Sequence, residues 1–421
     1  MVGVTTMRRT LFLLLVAFTF SACGSKNLES SENIAISKTQ KRSIKETNNN
    51  DEIISEYEEL QKKDSRGRYS SACLTGSCEA PPNAAFEFLP SSVIMDSCAV
   101  SKVDVIIAEP GFRLFFLGIC ERGNEQLYTA TVTKLGQLES SPILVSDSCL
   151  EQGYSVLKFD VGEGDGQYFT SYTCGTSLNS WENKPVYFSI INSNSVVTKT
   201  EYITNEYRYT ATIGTVKWNP ESSTWGYFGD GWQQLYDFLG NKKGGRNIGP
   251  KGIHHVKIIN GSWVLLSKSA HSAITCSRLS STGVQLCLEK SIKGQTYLDK
   301  SRLIAVNQSG DVYVSYLNSD TCDDNGSALI GSLPGNYIGD TFNSLVWSQD
   351  VGLLLYSNQL NSLAVSSFGM SGAQGILSTT SAISYNEKDL DDALLLTSDN
   401  MLYVFSVIDS VVYLSLGIAH Q

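Results

Sequence analysis

Phe112-Arg-Leu-Phe-Phe-Leu-Gly-Ile-Cys120, followed closely by Glu125-Gln-Leu-Tyr-Thr-Ala-Thr-Val-Thr133, reads as two strands joined by a polar turn. The same two-strand rhythm returns along the chain. It recurs as QYFTSYTC (167–174) with PVYFSIIN (185–192), TWGYFGDG (224–231) with QQLYDFLG (233–240), and SWVLLSKS (262–269) with AITCSRLS (273–280). It continues as GDVYVSYLN (310–318) with SALIGSL (327–333), VGLLLYSNQ (351–359) with NSLAVSSFG (361–369), and DALLLTSD (392–399) with MLYVFSVID (401–409). That makes seven units, roughly 40 to 55 residues apart, a repeat length that points to modular architecture. Each quoted pair is read as the second and third strands of its unit, with a shorter strand on either side.

Four short strands per unit at this period indicate an all-β fold, a seven-bladed β-propeller of four-stranded antiparallel blades over residues 85–421. Runs such as Val351-Gly-Leu-Leu-Leu-Tyr356 alternate poorly, as expected of strands covered on both faces by neighbouring blades. Trp232, Leu235, Tyr236 and Leu239 fall at helical spacing, but QQLY aligns with EQLY of the first unit, which favours a strand. A pair of β-sandwiches or a solenoid is the competing architecture. The resemblance is to propellers in general. The Gly-His and Trp-Asp pairs of WD repeats, the Asp-box of sialidases and the repeated Trp of quinoprotein dehydrogenases are missing, so fold alone implies little about function.

The repeat also orders the cysteines. In a propeller blade the first strand starts at the face where the second strand ends. Cys98 precedes a first strand and Cys120 ends a second one; Cys149 and Cys174 occupy the same places one unit later. The expected disulfides are therefore Cys98–Cys120 and Cys149–Cys174. CLEKSIKG resembles CLEQGYS and suggests Cys287–Cys322, against a rival Cys276–Cys287 pairing across the turn at 280–283. Cys73 and Cys78 are expected to close a small loop. Ten cysteines in one chain fit an oxidising, extracytoplasmic compartment.

The N-terminus agrees with export. Arg8 and Arg9 give a positive start, Leu11–Phe20 an apolar run, and Ser21-Ala22 small residues at a cleavage point, so residues 1–22 read as a signal peptide. Phe20-Ser-Ala-Cys23 resembles the lipobox of bacterial lipoproteins, with Phe20 where Leu is usual. The resemblance implies diacylation of Cys23 and an acylated amino group; two or three chains anchor a protein stably where one does not. Gly24 after the cysteine implies outer-membrane sorting. Residues 23–84, rich in Ser, Asn, Lys and Glu, read as the lipidated cysteine followed by a flexible tether.

Lys and Arg total 32 against 42 Asp and Glu, a net charge of −10, which argues against nucleic acid as a partner. No residue pattern points to a cofactor. The cysteine spacings do not suit zinc. Asp160–Gly166 places glycine where a calcium loop needs oxygen ligands and reads better as a turn. Asn318–Gly326 reads as a solvated acidic loop between second and third strands. His254 and His255, adjacent on a strand, point to opposite faces, and His271 lies in a loop of the same unit. Phe112-Arg113-Leu114 resembles the arginine motif of sialidase propellers, yet Arg113 reads better as structural. Trp181, in the long loop after Cys174, is the candidate binding residue. Inner-strand positions, taken as Val105, Lys158, Val216, Ile258 and Ile304, look apolar or structural. The expectation is a lipid-anchored envelope propeller that binds an envelope protein or glycan without catalysis. The alternative is a glycan-acting hydrolase or lyase with an axial active site, which would need convergent acids at the axis.

Overall fold

The computed structural model describes residues 86–419 apart from short segments at 121–122, 178–183, 207–213, 230, 249–252, 269–273, 293–294, 300–301, 307–310, 319–322, 334–336, 349–350, 359–361, 370–377, 385–389 and 399–400. Cys23, Cys73, Cys78, Trp181, His271 and Cys322 lie outside the described residues, as do the signal and tether boundaries.

Among the described residues the chain forms seven antiparallel sheets. The first takes Ala99–Ala108, Gly111–Ile119, Gln126–Val132 and Ile143–Leu144; the second Ser155–Gly164, Gln167–Gly175, Lys184–Asn192 and Val197–Glu206. The third takes Thr215–Asn219, Thr224–Gly229, Trp232–Tyr236 and Lys242–Asn247; the fourth Ile253–Ile259, Ser262–Lys268, Ile274–Leu279 and Gln285–Ile292. The fifth is Gln295–Asp299, Arg302–Val306, Asp311–Asn318 and Asp323–Ser332; the sixth Tyr337–Ser348, Val351–Asn358, Ser362–Gly369 and Ser378–Ser384. The seventh joins the two ends of the chain. Leu390–Ser398, Met401–Ile408 and Val411–Ala419 are followed on the outside by Phe86–Phe88, and Ser92–Met95 also pairs with Val411–Ala419.

Two readings of the repeat need correction. GDVYVSYLN and SALIGSL are the third and fourth strands of their sheet, because the short strands Gln295–Asp299 and Arg302–Val306 precede them. Asn318 therefore ends a third strand, Asp323–Gly326 open the fourth strand paired with it, and Ile304 lies on a second strand. DALLLTSD and MLYVFSVID are the first and second strands of the seventh sheet, whose outermost strand comes from the N-terminal side of the domain. A strand borrowed across the whole sequence leaves no local trace of the unit it completes.

First strands lie innermost: that of the seventh sheet runs beside the first sheet's, and so on in order from the first sheet to the fifth. Second strands are sandwiched, and Gly111–Ile119 is buried along nearly its whole length. Phe115, Val145, Val156, Phe159 and Tyr172 fill the space between the first and second sheets. Phe169, Phe188, Trp218, Trp225 and Tyr236 fill the next, with the Phe169 and Phe188 rings stacked at 4.6 Å. Such large apolar side chains are worth roughly 1.5–3 kcal/mol each when buried, so contact between sheets, more than hydrogen bonding within them, holds the assembly.

The first strands of the first, second, fourth and seventh sheets share a bulge near their start, at Ser101, Leu157, His254 and Asp391. An extra residue resets which side chains face which way. Two sheets carry a staple at the same end: Cys98–Cys120 and Cys149–Cys174 are disulfides joining the entry of a first strand to the exit of a second. In the fourth sheet the register sets Cys276, which is buried, opposite Lys290 and Cys287 opposite Arg278, so the two are not cross-strand partners.

Removing the Cys149–Cys174 bridge by a double alanine substitution is expected to lower stability by about 3 kcal/mol for a closed loop of this size, read as a fall in the denaturation midpoint with unchanged far-ultraviolet circular dichroism. Closure of the seventh sheet depends on close approach at Gly417, where a Cβ would stand 2.6 Å from a Phe88 ring carbon. Gly417→Val is therefore expected to expel Phe88 and expose residues 86–95 to proteolysis ahead of the rest of the domain.

Candidate functional site

An innermost strand is an edge strand. Its outer neighbour pairs with one side of its backbone, and the other side looks toward the axis with amide groups that need partners. Beyond the bulges the strands bring carboxylates to those groups. Asp392 of the seventh sheet accepts from the Ala393 N–H at 2.9 Å and, across the sheet boundary, from the Val103 N–H at 3.0 Å. Asp160 of the second sheet accepts from the Val216 N–H of the third at 2.6 Å. Asp104, between them in the first sheet, accepts from the N–H of Val105 at 2.8 Å. One chemical device is used three times, and twice it spans two sheets.

Lysines complete the cluster. Lys102 and Lys217 both act on Asp104 and Asp160, and Lys102 also on Asp392. The Lys102 ammonium stands 5.5 Å from the centre of the Phe159 ring. Burial pushes Asp104 up to about 7, with the neighbouring Asp160 charge adding to it; Lys217, the Val105 N–H and Lys102 pull the other way without prevailing. Burial also raises Asp160, against Lys217 and the Val216 N–H, and raises Asp392, against the Val103 N–H and Lys102. Asp104 keeps some surface as a residue, since it lines the axial side, while protein surrounds its carboxyl group.

The inner-strand residues read from sequence as apolar or structural include Val105 and Val216, both buried, and the cluster is carried by their neighbours. Val105 and Val216 each neighbour the charged residue that matters, Asp104 and Lys217, one position away. In the first sheet the bulge at Ser101, invisible in the sequence, shifts the phase by one residue ahead of Asp104, and a one-residue slip exchanges the two faces of a strand; the third sheet's first strand carries no such shift. The usable signal was Val103-Asp-Val105 and Phe159-Asp-Val161, where a charge recurs between apolar neighbours at matched places. Lys158, named from sequence, is buried; Ile258 is half-buried on the fourth sheet's first strand.

Other sequence candidates settle into structural roles. Arg113 is buried; it donates to the Ser195 hydroxyl, and to the Ser193 carbonyl at 2.7 Å, and its guanidinium lies 5.3 Å from the Tyr168 ring centre. It clamps the first sheet to the turn between the third and fourth strands of the second. Asp160–Gly166 forms the end of a first strand and a hairpin turn whose Asp165 and Gly166 have φ of 48° and 73°. His254 and His255 sit at the bulge of the fourth sheet's first strand.

The stapled face is the second candidate. There the loops of the first two sheets are locked together: the Val156 N–H donates to the Glu125 carbonyl at 2.9 Å, Asn124 Nδ2 to the Gly153 carbonyl at 3.0 Å, and Gln126 Nε2 to the Tyr154 carbonyl at 3.0 Å. Beside the disulfide cysteines, Ile119 and Leu150 remain 43% and 45% exposed. Each of these aliphatic side chains adjoins a disulfide cysteine, Ile119 next to Cys120 and Leu150 next to Cys149. The axial cluster could instead move a proton, since an acid near neutral pH beside a second carboxylate is the arrangement acid–base catalysts use.

No family model matches the sequence, and no curated protein matches it. Among solved structures it is similar to BamB from Moraxella catarrhalis, with 11% identity, a TM-score of 0.44 and coverage of 80% of this chain and 99% of that one. It is also similar to the subtype N10 neuraminidase-like protein of A/little yellow-shouldered bat/Guatemala/060/2010, at 11% identity, TM-score 0.40, and coverage of 80% and 100%. Kluyveromyces lactis Hsv2 follows at 11% identity and TM-score 0.39, with 60% of this chain and 72% of that chain covered. These TM-scores are all below 0.5, so the fold assignment rests on the sheet topology above.

Asp104 in the folded protein holds a proton that the unfolded chain, at 3.8, has already lost. Between about pH 4 and pH 7 the native state therefore binds more protons, and stability falls as pH rises through that window. Asp104→Asn keeps an acceptor for the Val105 N–H and removes the buried charge. Its melting temperature is expected to exceed the parent's by about 3–6 °C at pH 8 and to converge with it near pH 4.

Proposed function

We propose that this chain is a lipid-anchored, seven-bladed β-propeller of the bacterial cell envelope that binds an envelope protein or glycan through its disulfide-stapled loop face, without catalysing a reaction. The observation that carries this reading is the pair of repeated staples, with the two loop groups hydrogen-bonded to each other and Ile119 and Leu150 left at the surface. A rigid patch loses little entropy on binding. Ring closure is supported by the order of first strands and by the pairing of Phe86 with Ala419.

The envelope location is supported by the lipobox-like Phe20–Cys23, the apolar run before it and the disulfides. Among the described residues no helix is long and apolar enough to cross a membrane. Acylation of Cys23, outer-membrane sorting by Gly24 and a role for Trp181 in the loop after Cys174 belong to the same proposal.

One observation favours the alternative of a glycan-acting hydrolase or lyase: Asp104 and Asp160 converge on the axial side, with Asp104 raised to about 7. Against it, Asp104, Asp160 and Asp392 each already accept backbone N–H groups, a use that the architecture explains without substrate.

A photocrosslinking residue at Leu150 of the full chain in intact cells is expected to trap one reproducible adduct, and the same residue at Asp165, on the opposite face, to trap none. Palmitate labelling should disappear in Cys23→Ser. Equal trapping at both faces defeats the binding reading. Altered envelope-glycan turnover in an Asp104→Asn, Asp160→Asn strain that retains the Leu150 adduct would favour the enzyme.

A further inference from the structure

The outer strand of the third sheet, Lys242-Lys-Gly-Gly-Arg-Asn247, differs from its counterparts. All six of its residues are exposed, and it carries three basic side chains and no acid in a chain whose net charge is −10. Lys242, Lys243 and Arg246 form no ion pair among the described residues; Asp237 in the preceding turn feels the charge of Lys243 but is held by Asn241 through 2.7 and 3.0 Å hydrogen bonds. Among the described residues no strand follows it in the sheet, so its outer edge is unpaired there.

The phase of that edge can be fixed. Ile248 N–H donates to the Gly231 carbonyl at 2.8 Å, and hydrogen-bonded pairs alternate along an antiparallel ladder. Arg246 and Gly244, opposite Gln233 and Leu235, thus turn their backbone groups inward, and Gly245 and Asn247 turn theirs outward. Glycine at 244 answers no internal need: its φ is not left-handed, and nothing lies within 4 Å of where a Cβ would stand. Glycine in a strand interior weakens the strand and often marks a place where another backbone or a large cross-strand side chain comes close.

Both ends of the strand carry exposed apolar groups. Trp232, opposite Asn247, is 39% exposed, and Leu239, in the turn that leads into the strand, is 65% exposed. On the other face of the same strand, Gly283 of the fourth sheet packs against Gln233, and Val284 next to it is exposed. A half-exposed Trp at the end of a basic strand is a side chain of the kind on which binding energy concentrates.

Lysines and a bulge on an edge strand ordinarily deter pairing, and the bulge at Lys243 belongs to that account. Deterrence by charge has a sign, however. Three cations with no anion repel basic strands, gain nothing from neutral ones and attract acidic ones, so the same feature that blocks indiscriminate pairing selects a partner. Gly245 has an internal reason, since a Cβ there would stand 3.1 Å from the Gln233 carbonyl oxygen; Gly244 and the exposed Trp232 and Leu239 are left unexplained by deterrence and fit selection.

We propose that Lys242–Asn247 is a docking edge for an extended acidic segment of another protein, which adds to the third sheet as a fifth strand. Its backbone pairs with Gly245 and Asn247, its carboxylates meet Lys242, Lys243 and Arg246, and an apolar side chain at one end covers Trp232. This site stands apart from the stapled face of the first two sheets, and its test leaves that reading untouched.

The full chain, purified in detergent, is titrated with a fluorescent, terminally blocked decapeptide alternating Glu and Val, and with its Lys-Val counterpart. The Glu-Val peptide is expected to bind, the Lys-Val peptide not to, and binding to weaken several-fold between about 50 and 200 mM salt. Hydrogen exchange with the bound peptide should slow at the Gly245 and Asn247 amides, a readout that needs no variant. The triple substitution Lys242→Glu, Lys243→Glu, Arg246→Glu is expected to weaken binding at least about tenfold, and Gly245→Pro, which removes an outward N–H, to do likewise. Binding without new protection at Gly245 and Asn247, no binding of the Glu-Val peptide, or equal binding of both peptides each overturns the proposal. So does capture of the protein by phosphatidylglycerol vesicles that competes with the peptide and survives Gly245→Pro.

Discussion

A strand that is apolar on both faces cannot end a structure. Gly111–Ile119, Gln167–Gly175 and Thr224–Gly229 are buried along most of their lengths, so each sheet needs a neighbour on either side before its second strand is shielded from water. A linear stack meets that need everywhere but at its two ends. Phe86–Phe88 and Val411–Ala419 share one sheet whose first strand runs beside that of the first sheet, and Leu89 N–H donating to the Leu416 carbonyl at 2.8 Å extends the seam beyond the strand itself. The aromatic layers between sheets, the staples and the axial carboxylates all presuppose this lateral packing.

The axial acids show how such a fold solves a problem of its own making. Bringing first strands side by side turns their free amides toward a confined space where water is scarce. Asp392 and Asp160 each accept an amide of their own or a neighbouring strand and so connect adjacent sheets, at the cost of carboxylates that burial renders harder to ionise. The same group is thus a staple at low pH and a buried charge at high pH. That dual character is why geometry alone makes the site look catalytic, and why the hydrogen bonds it already makes weigh toward a structural task.

Much of the architecture was legible because burial on two faces leaves long apolar runs, and seven recurrences of one rhythm are hard to produce otherwise. The bridges of the first two sheets were legible for a related reason: Cys98 and Cys120 stand to their strands as Cys149 and Cys174 do to theirs. Where the repeat was misread, the cause was a weak or distant strand. Gln295–Asp299 and Arg302–Val306 are five residues each, too short and too polar in part to announce themselves, and the strand completing the seventh sheet is some three hundred residues from its partners in sequence. The axial cluster was hidden by a subtler effect. One bulged residue at Ser101 is enough to move attention from Asp104 to Val105, and a bulge is set by the three-dimensional ladder rather than by any residue type.

The seam between Phe86–Phe88 and Val411–Ala419 also governs the order of events during synthesis. The segment to be captured is made some three hundred residues before its receptor, so most of the domain has to emerge before the seventh sheet can be completed. Until then the seventh sheet lacks a border and the first lacks its inner neighbour, exposing sticky flanks in the interval when chains are most prone to mispair. Bridges such as Cys98–Cys120, which need only their own local sheet, can form early and keep the opening portion in shape while it waits.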